Sequence, residues 1–212
     1  MKLKESKTKY IVFTRSRQDF VTRLTVNGKL IERQASVKLL GVWLDQDGGW
    51  NTQAKELCKT AYKRMSFLTK LRYPGVSRQD LIHNYKQFVR TAIEYCSVAI
   101  HSSITEAQSN SIEHCPAVAL RIILQEDYES YEASLLLTEL RTLSFRRAAH
   151  RLSFSLKYID HSQNQQFFPR NPNLGIDREA RKREEFSVNF ARTEQYRKST
   201  IPSCQRLLNS HF

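Results

Sequence analysis

Three lysines, Lys55, Lys59 and Lys63, recur at four-residue steps. On a helix this spacing lines up three ammonium groups on one stripe, opposite a core side carrying Leu57, Ala61 and Leu68. Such a stripe can track phosphates through sequence-independent, salt-sensitive contacts, and it also suits an ordinary solvated helix face. Lys7 and Lys9 flank the start of a β-rich segment. Asp45 and Asp47 have a spacing that a metal ion could use, but they sit in the Gly-rich stretch Asp45-Gln-Asp-Gly-Gly49, where an ordinary polar turn is expected. Cys96, His101, His114 and Cys115 invite a zinc reading. Their spacings fit no common zinc finger, and Cys96 falls on the apolar face of a helical pattern, so core or surface roles are expected. No local motif sets a nucleophilic Cys or Ser beside a His.

The elements that must position these residues change character near residue 50. Residues 9–14 are rich in β-branched and aromatic side chains and read as a strand. In the stretch 21–31, Asn27-Gly28 supplies two residues that tolerate positive φ, as a tight hairpin turn requires. Residues 37–44 read as another strand. From Asn51 or Thr52 the apolar period becomes helical through Ala54, Leu57, Cys58, Ala61, Met65, Leu68 and Leu71, to about Tyr73. Pro74-Gly75 breaks that helix, and Ser77 with Asp80 forms a capping pair for a second helix that continues through Cys96 and ends near His101. Thr105 caps a third, which Pro116 should bend or interrupt. Further helices are expected at 131–137 and 144–159. After Asp160 the pattern fades into a linker, and the mixed-charge run 178–185 suggests a loosely attached tail with at most one short helix. The fold class read from this is α+β.

Composition bounds the partners. Lys and Arg total 34 against 21 Asp and Glu, a net charge of +13, and the pI of about 9.8 favours a polyanion such as nucleic acid. Residues 1–40 hold ten basic side chains against three acidic, whereas 41–160 hold fifteen against thirteen, so the positive field is strongest at the N-terminal end. No apolar run approaches the roughly 18 residues that span a bilayer, so no membrane partner is expected. The N-terminal segment lacks the apolar stretch of a secretory signal, and four cysteines without Cys-x-x-Cys spacing suit reduced thiols; an intracellular chain, nuclear or cytoplasmic, is expected.

Five segments carry a family likeness. Ser6-Lys-Thr-Lys-Tyr-Ile-Val-Phe resembles the segment closing the palm of non-LTR retrotransposon reverse transcriptases of the LINE or Jockey-like type, with Lys7 as its lysine and Lys4 where the family has Asn. Val37-Lys-Leu-Leu-Gly-Val-Trp-Leu-Asp is similar to the primer grip that follows it. Ala61-Tyr-Lys-Arg-Met, Tyr85-Lys-Gln-Phe-Val-Arg and Ala119-Leu-Arg-Ile-Ile-Leu resemble the helical thumb region, in matching order. The likeness covers about residues 4–160 and implies a C-terminal part of such a polymerase: a palm remnant at 1–50, a thumb-like domain at 51–160, and a linker and basic tail, partly disordered, at 161–212. It implies that Lys7 would protonate a leaving pyrophosphate in the parent enzyme, and that Leu40, Gly41, Val42 and Trp43 would grip a primer. A plain buried strand explains the apolar members of that group equally well. No Tyr-x-Asp-Asp or comparable aspartate pair appears, so polymerisation by this chain alone is not expected, and Mg2+ belongs only to the complete parent. The expected partner is an RNA-DNA hybrid or duplex bound without sequence preference, through Lys7, Lys9, Leu40, Gly41, Val42, Lys55, Lys59 and Lys63. An inert relic and a helical protein-interaction module remain alternatives, and the oligomeric state is open.

Overall fold

Tight turns shape the first 50 residues of the computed structural model, which describes residues 7–14, 23–73, 75–159, 161–171 and 185–211. Lys4, Ser6, Pro74 and most of the mixed-charge run lie outside these residues. Strand β1 (Lys9–Tyr10) pairs in parallel with β4 (Glu32–Arg33), and β2 (Thr25–Val26) pairs antiparallel with β3 (Lys29–Leu30). Asn27 and Gly28 close the latter hairpin at φ 52° and 78°, as their tolerance of left-handed backbone predicts. The strand expected over 9–14 pairs only through its first two residues among those described.

The single strand expected at 37–44 is instead a hairpin. β5 (Ser36–Leu39) and β6 (Val42–Asp45) pair antiparallel, with Leu39 opposite Val42 and Lys38 opposite Trp43. Leu40 and Gly41 form its two-residue turn, at φ 48° and 88°. Two consecutive positive φ values reverse the chain with the twist that flanking strands need. An apolar run with one glycine does not announce such a turn, because Leu40 at positive φ is sterically disfavoured.

Asp45 joins this hairpin to α1 (Asn51–Arg72). Its carboxylate accepts hydrogen bonds from Ser36 Oγ at 2.6 Å and from the Thr52 N–H at 3.0 Å, so it satisfies one of the orphan donors at the start of α1. Gln53, almost fully buried, adds a second tie by accepting the Trp43 N–H at 2.9 Å. Ala54, Leu57, Ala61, Met65 and Leu68 form the buried face of α1, at the helical spacing the sequence shows.

That face packs chiefly on α5 (Glu106–Leu124). Thr105 and Gln108 make a reciprocal capping box at its start. α5 runs through Pro116 without interruption: the ring removes one donor, yet Pro116 lies buried among Ile112, Cys115, Ala119 and Leu120, and this packing holds the helix. The expected second helix is divided. α2 (Arg78–Asn84), capped by Ser77, passes into a π-helical turn at Tyr85–Arg90, then α3 (Thr91–Glu94). Cys96, at φ 58°, then turns the chain into α4 (Ser97–Ile100). Short α6 (Tyr131–Leu137) and long α7 (Leu143–Tyr158) match the expected positions.

The C-terminal stretch departs from a loosely attached tail. α8 (Glu194–Arg197) precedes α9 (Thr200–His211), which packs on α7 and α4. Cys204 and Leu208 of α9 join Phe168 and Phe186 in a small second core. Buried Gln205 donates to the Phe167 carbonyl at 2.8 Å and accepts the Asn189 N–H at 3.0 Å. Polar side chains that serve as internal ties read in sequence as solvent-facing, and that concealed the docking. The fold is α+β, with small two-stranded sheets and a helical core.

Candidate nucleic-acid interface

Lys55, Lys59 and Lys63 all stand exposed on α1, opposite the buried Leu57, Ala61 and Leu68. Lys59 pairs with Glu56 at 3.3 Å, a solvent-exposed contact of small energy. Lys55 and Lys63 have no ion-pair partner among the described residues. The row does not end at Lys63. Four residues on, Phe67 presents its ring to solvent, 47% exposed, where the pattern would place another polar residue.

Phe67 opens onto a groove of about 610 Å³ lined by Thr60, Lys63, Arg64, Phe67 and Phe88. Phe88 comes from the π-helical turn, whose Tyr85 and Val89 are buried while Phe88 remains 44% exposed. The two rings meet edge to face with centroids 5.8 Å apart. Arg64 lies 4.8 Å from the Phe88 ring centroid and donates to the Phe88 carbonyl at 2.5 Å, which fixes the guanidinium across the groove.

Thr60 and Arg64 also line a second recess, of about 290 Å³, that reaches Lys38, Gly41 and Trp43 on the β5–β6 hairpin and Tyr95 after α3. The hairpin tip is held there by Tyr95, whose hydroxyl donates to the Leu40 carbonyl at 2.6 Å. A methyl group on Gly41 would stand 3.1 Å from that hydroxyl. Leu40 itself is 87% exposed in a left-handed conformation. The β2–β3 hairpin uses Asn-Gly at the same two turn positions, the pair suited to positive φ. A branched apolar residue at this tip is strained and buries nothing.

The sites expected from sequence thus divide. Lys55, Lys59 and Lys63 share the α1 face that leads to the groove, and Gly41 lines the adjoining recess with Leu40 and Val42 beside it in the hairpin. Lys7 and Lys9 are exposed, and Lys9 pairs with Glu32 at 3.8 Å across the β1–β4 ladder; neither lines the groove or the recess. Lys38, Arg64, Phe67, Phe88 and Tyr95 were missed as a group. Phe67 had a visible signal, being the fourth member of the row begun by Lys55, whereas Phe88 and Tyr95 depend on the π turn and the break at Cys96.

The metal readings gain no support. Burial alone would raise the Asp45 carboxyl, but hydrogen bonds from Ser36 and from Thr52 and Asn51 outweigh it and hold it below the usual carboxylate range. Asp47 accepts the Gly49 N–H at 2.8 Å, an ordinary turn contact. Among the described residues no three His, Cys, Asp or Glu side chains gather as a metal site. Cys115 is instead a core residue beside Cys58, and His114 contacts the Tyr62 hydroxyl at 3.0 Å. No described helix is long and apolar enough to cross a membrane.

Comparison with protein-family models, with curated proteins and with solved structures returns no match.

Proposed function

We propose that this chain grips nucleic acid without sequence preference, as the primer-grip and thumb-like part of a polymerase of the non-LTR retrotransposon type. The observation that carries the reading is the α1 face. Lys55, Lys59 and Lys63 stand exposed in one row that runs into a groove bounded by Arg64, on a chain of net charge +13. Lysines in such a row neutralise successive phosphates and release their counterions, which needs no base recognition. The exposed, strained Leu40 at the hairpin tip also supports the reading, since backbone strain without burial is a feature of contact surfaces. On this reading the catalytic aspartates and their Mg2+ belong to another part of the polymerase, and this chain supplies grip and not chemistry.

The test is binding of the purified chain to a labelled RNA-DNA hybrid across a salt series, beside a variant with Lys55→Ala, Lys59→Ala and Lys63→Ala. Affinity should fall steeply with salt in the parent chain. The triple variant should bind more weakly, with the slope of log K against log salt reduced by roughly 0.9 for each phosphate contact removed. Equal slopes would remove α1 from the interface, and binding indifferent to salt would favour a protein partner.

A further inference from the structure

The groove at the end of the lysine row has a chemistry that a duplex does not use. Phe67 and Phe88 are both partly exposed, and a solvated lysine face gains nothing from two phenyl rings. They come from separate elements, α1 and the π-helical turn, and meet at 5.8 Å. Single π turns are uncommon and concentrate at functional sites. Here the turn buries Tyr85 and Val89 while leaving Phe88 facing α1. Arg64 and Lys63 border the rings, so apolar faces and cations are interleaved within one opening of about 610 Å³.

We infer that this groove takes an unpaired base of a single-stranded segment, stacked on the exposed Phe67 ring with the Phe88 ring, inclined at 68° to it, against the edge of the base, and with its flanking phosphates on Lys63 and Arg64. The inference rests on the nucleic-acid reading above and narrows it from any duplex to a strand with exposed bases. A base pair inside a duplex has both faces covered by its neighbours, so a duplex would meet the lysines and leave the rings idle. An acidic peptide would likewise answer the charges alone. An apolar helix would cover the rings and strand Lys63 and Arg64 without counter-charge. A nucleotide supplies a π face and an anion together, within the reach of one side chain. Arg64 is already held against Phe88, so little ordering remains when a base arrives.

The experiment uses the full chain with a labelled single-stranded oligonucleotide, and with the same oligonucleotide annealed to its complement. A fluorescent purine analogue whose emission is quenched by stacking is placed in the strand. The variants are Phe67→Leu with Phe88→Leu, which keeps apolar bulk and removes the rings, and the Lys55, Lys59 and Lys63 triple alanine. Single strand should bind more tightly than duplex and quench the analogue, and the double leucine variant should lose about tenfold in single-strand affinity, and the quenching, while binding duplex as before. If the leucine variant binds and quenches like the parent chain, or if duplex binds as well as single strand, stacking is overturned. The nucleic-acid reading then stands or falls separately on the triple alanine variant. Failure of the folded chain to bind either form at low salt would overturn both.

Discussion

At Leu40 and Gly41 two neighbouring residues hold the same backbone region at different cost. Gly41, at φ 88°, has no Cβ to clash, whereas Leu40 at φ 48° carries the left-handed penalty in full and recovers nothing through burial. Leu40→Asn, which recreates the Asn-Gly pair of the β2–β3 turn, should therefore stabilise the chain by about 1 kcal/mol in urea denaturation while weakening nucleic-acid binding. Improved stability with unchanged binding would show that the tip is not a contact. Gly41→Ala should destabilise by about 1–2 kcal/mol, because it adds left-handed strain and pushes on the Tyr95 hydroxyl that holds Leu40. A second residue-scale prediction concerns Cys58 and Cys115. Both thiols lie by the Ser111 carbonyl, at 3.5 and 3.8 Å, and each is close enough to hydrogen-bond the other. The neighbouring Cys115 thiol favours the Cys58 thiolate, which outweighs burial and lowers Cys58 below the usual thiol range, while Cys115 is pushed up. Burial raises Cys96 and Cys204. Iodoacetamide at neutral pH should modify Cys58 first, several-fold faster than Cys96, with mass spectrometry of digests as the readout. Cys115→Ser should slow Cys58 only modestly, since a hydroxyl also donates, and Cys115→Ala should slow it most.

The helices show how much of the fold was legible. α1, α5, α6 and α7 stand close to where the sequence places them, α1 by its apolar period and α5 with Thr105 as its cap, because these signals are local; Ser130 and Thr142, which the structure adds as the caps of α6 and α7, act just as locally. The illegible parts depend on partners far away in sequence. The hairpin turn at Leu40 relies on Tyr95, the π turn carries Phe88 toward α1, and α9 docks through Gln205 and Asn209, whose amides bond the backbone of Phe167 and Phe186. For the same reason the lysine row was visible and the groove beside it was not: the row lies on one helix, whereas the groove needs two elements brought together. Glu113 is the clearest case of one residue joining several elements. From α5 it accepts the Tyr131 hydroxyl at 2.7 Å and the Leu143 and Ser144 N–H groups at 2.8 and 3.0 Å, and it lies 3.9 Å from buried Arg147. One carboxylate thereby ties α6 and the N-terminus of α7 to the core, and it supplies negative charge to a helix start. Glu113→Gln should cost roughly 2–3 kcal/mol, since among the described residues Arg147 would keep only Ser109 as a hydrogen-bond partner and the α7 N–H groups would lose a charged acceptor. Urea denaturation measures this, and a loss below about 0.5 kcal/mol would mean that water replaces the carboxylate at no cost.

Across the whole molecule the positive charge is arranged in two ways. On α1 it faces solvent, but along α7 it turns inward: Arg147 is almost fully buried against Ser109 and Glu113 of α5, Arg151 donates to Ser203 Oγ of α9 at 2.6 Å, and Arg206 of α9 adds to the field at Arg151. His101, directly after α4, is pressed into this region. Burial first, then Arg151 and Arg147, lower its pKa from 6.5 to about 4. The imidazole is therefore neutral in the folded chain at pH values where the unfolded chain has already taken up a proton. A group depressed in this way favours folding fully above its unfolded value, and that contribution is lost as pH falls through the interval between 6.5 and about 4. Asp45 acts in the same direction but lower, because its folded value lies beneath the ordinary 3.8. The midpoint of thermal unfolding should thus begin to fall below about pH 6.5, well before carboxylates such as Asp45 titrate, and His101→Gln should flatten the curve between pH 6.5 and 4 while leaving the steeper loss below pH 4 in place. Because α9 meets α4 and α7 in this region, protonation of His101 acts where the C-terminal helix is docked. Hydrogen exchange at pH 5 should accordingly rise in α9 before it rises in α1 and α5, whose buried faces meet through apolar residues such as Ala61, Met65, Ile112 and Ala119. Uniform loss of protection would show instead that the chain unfolds as one unit.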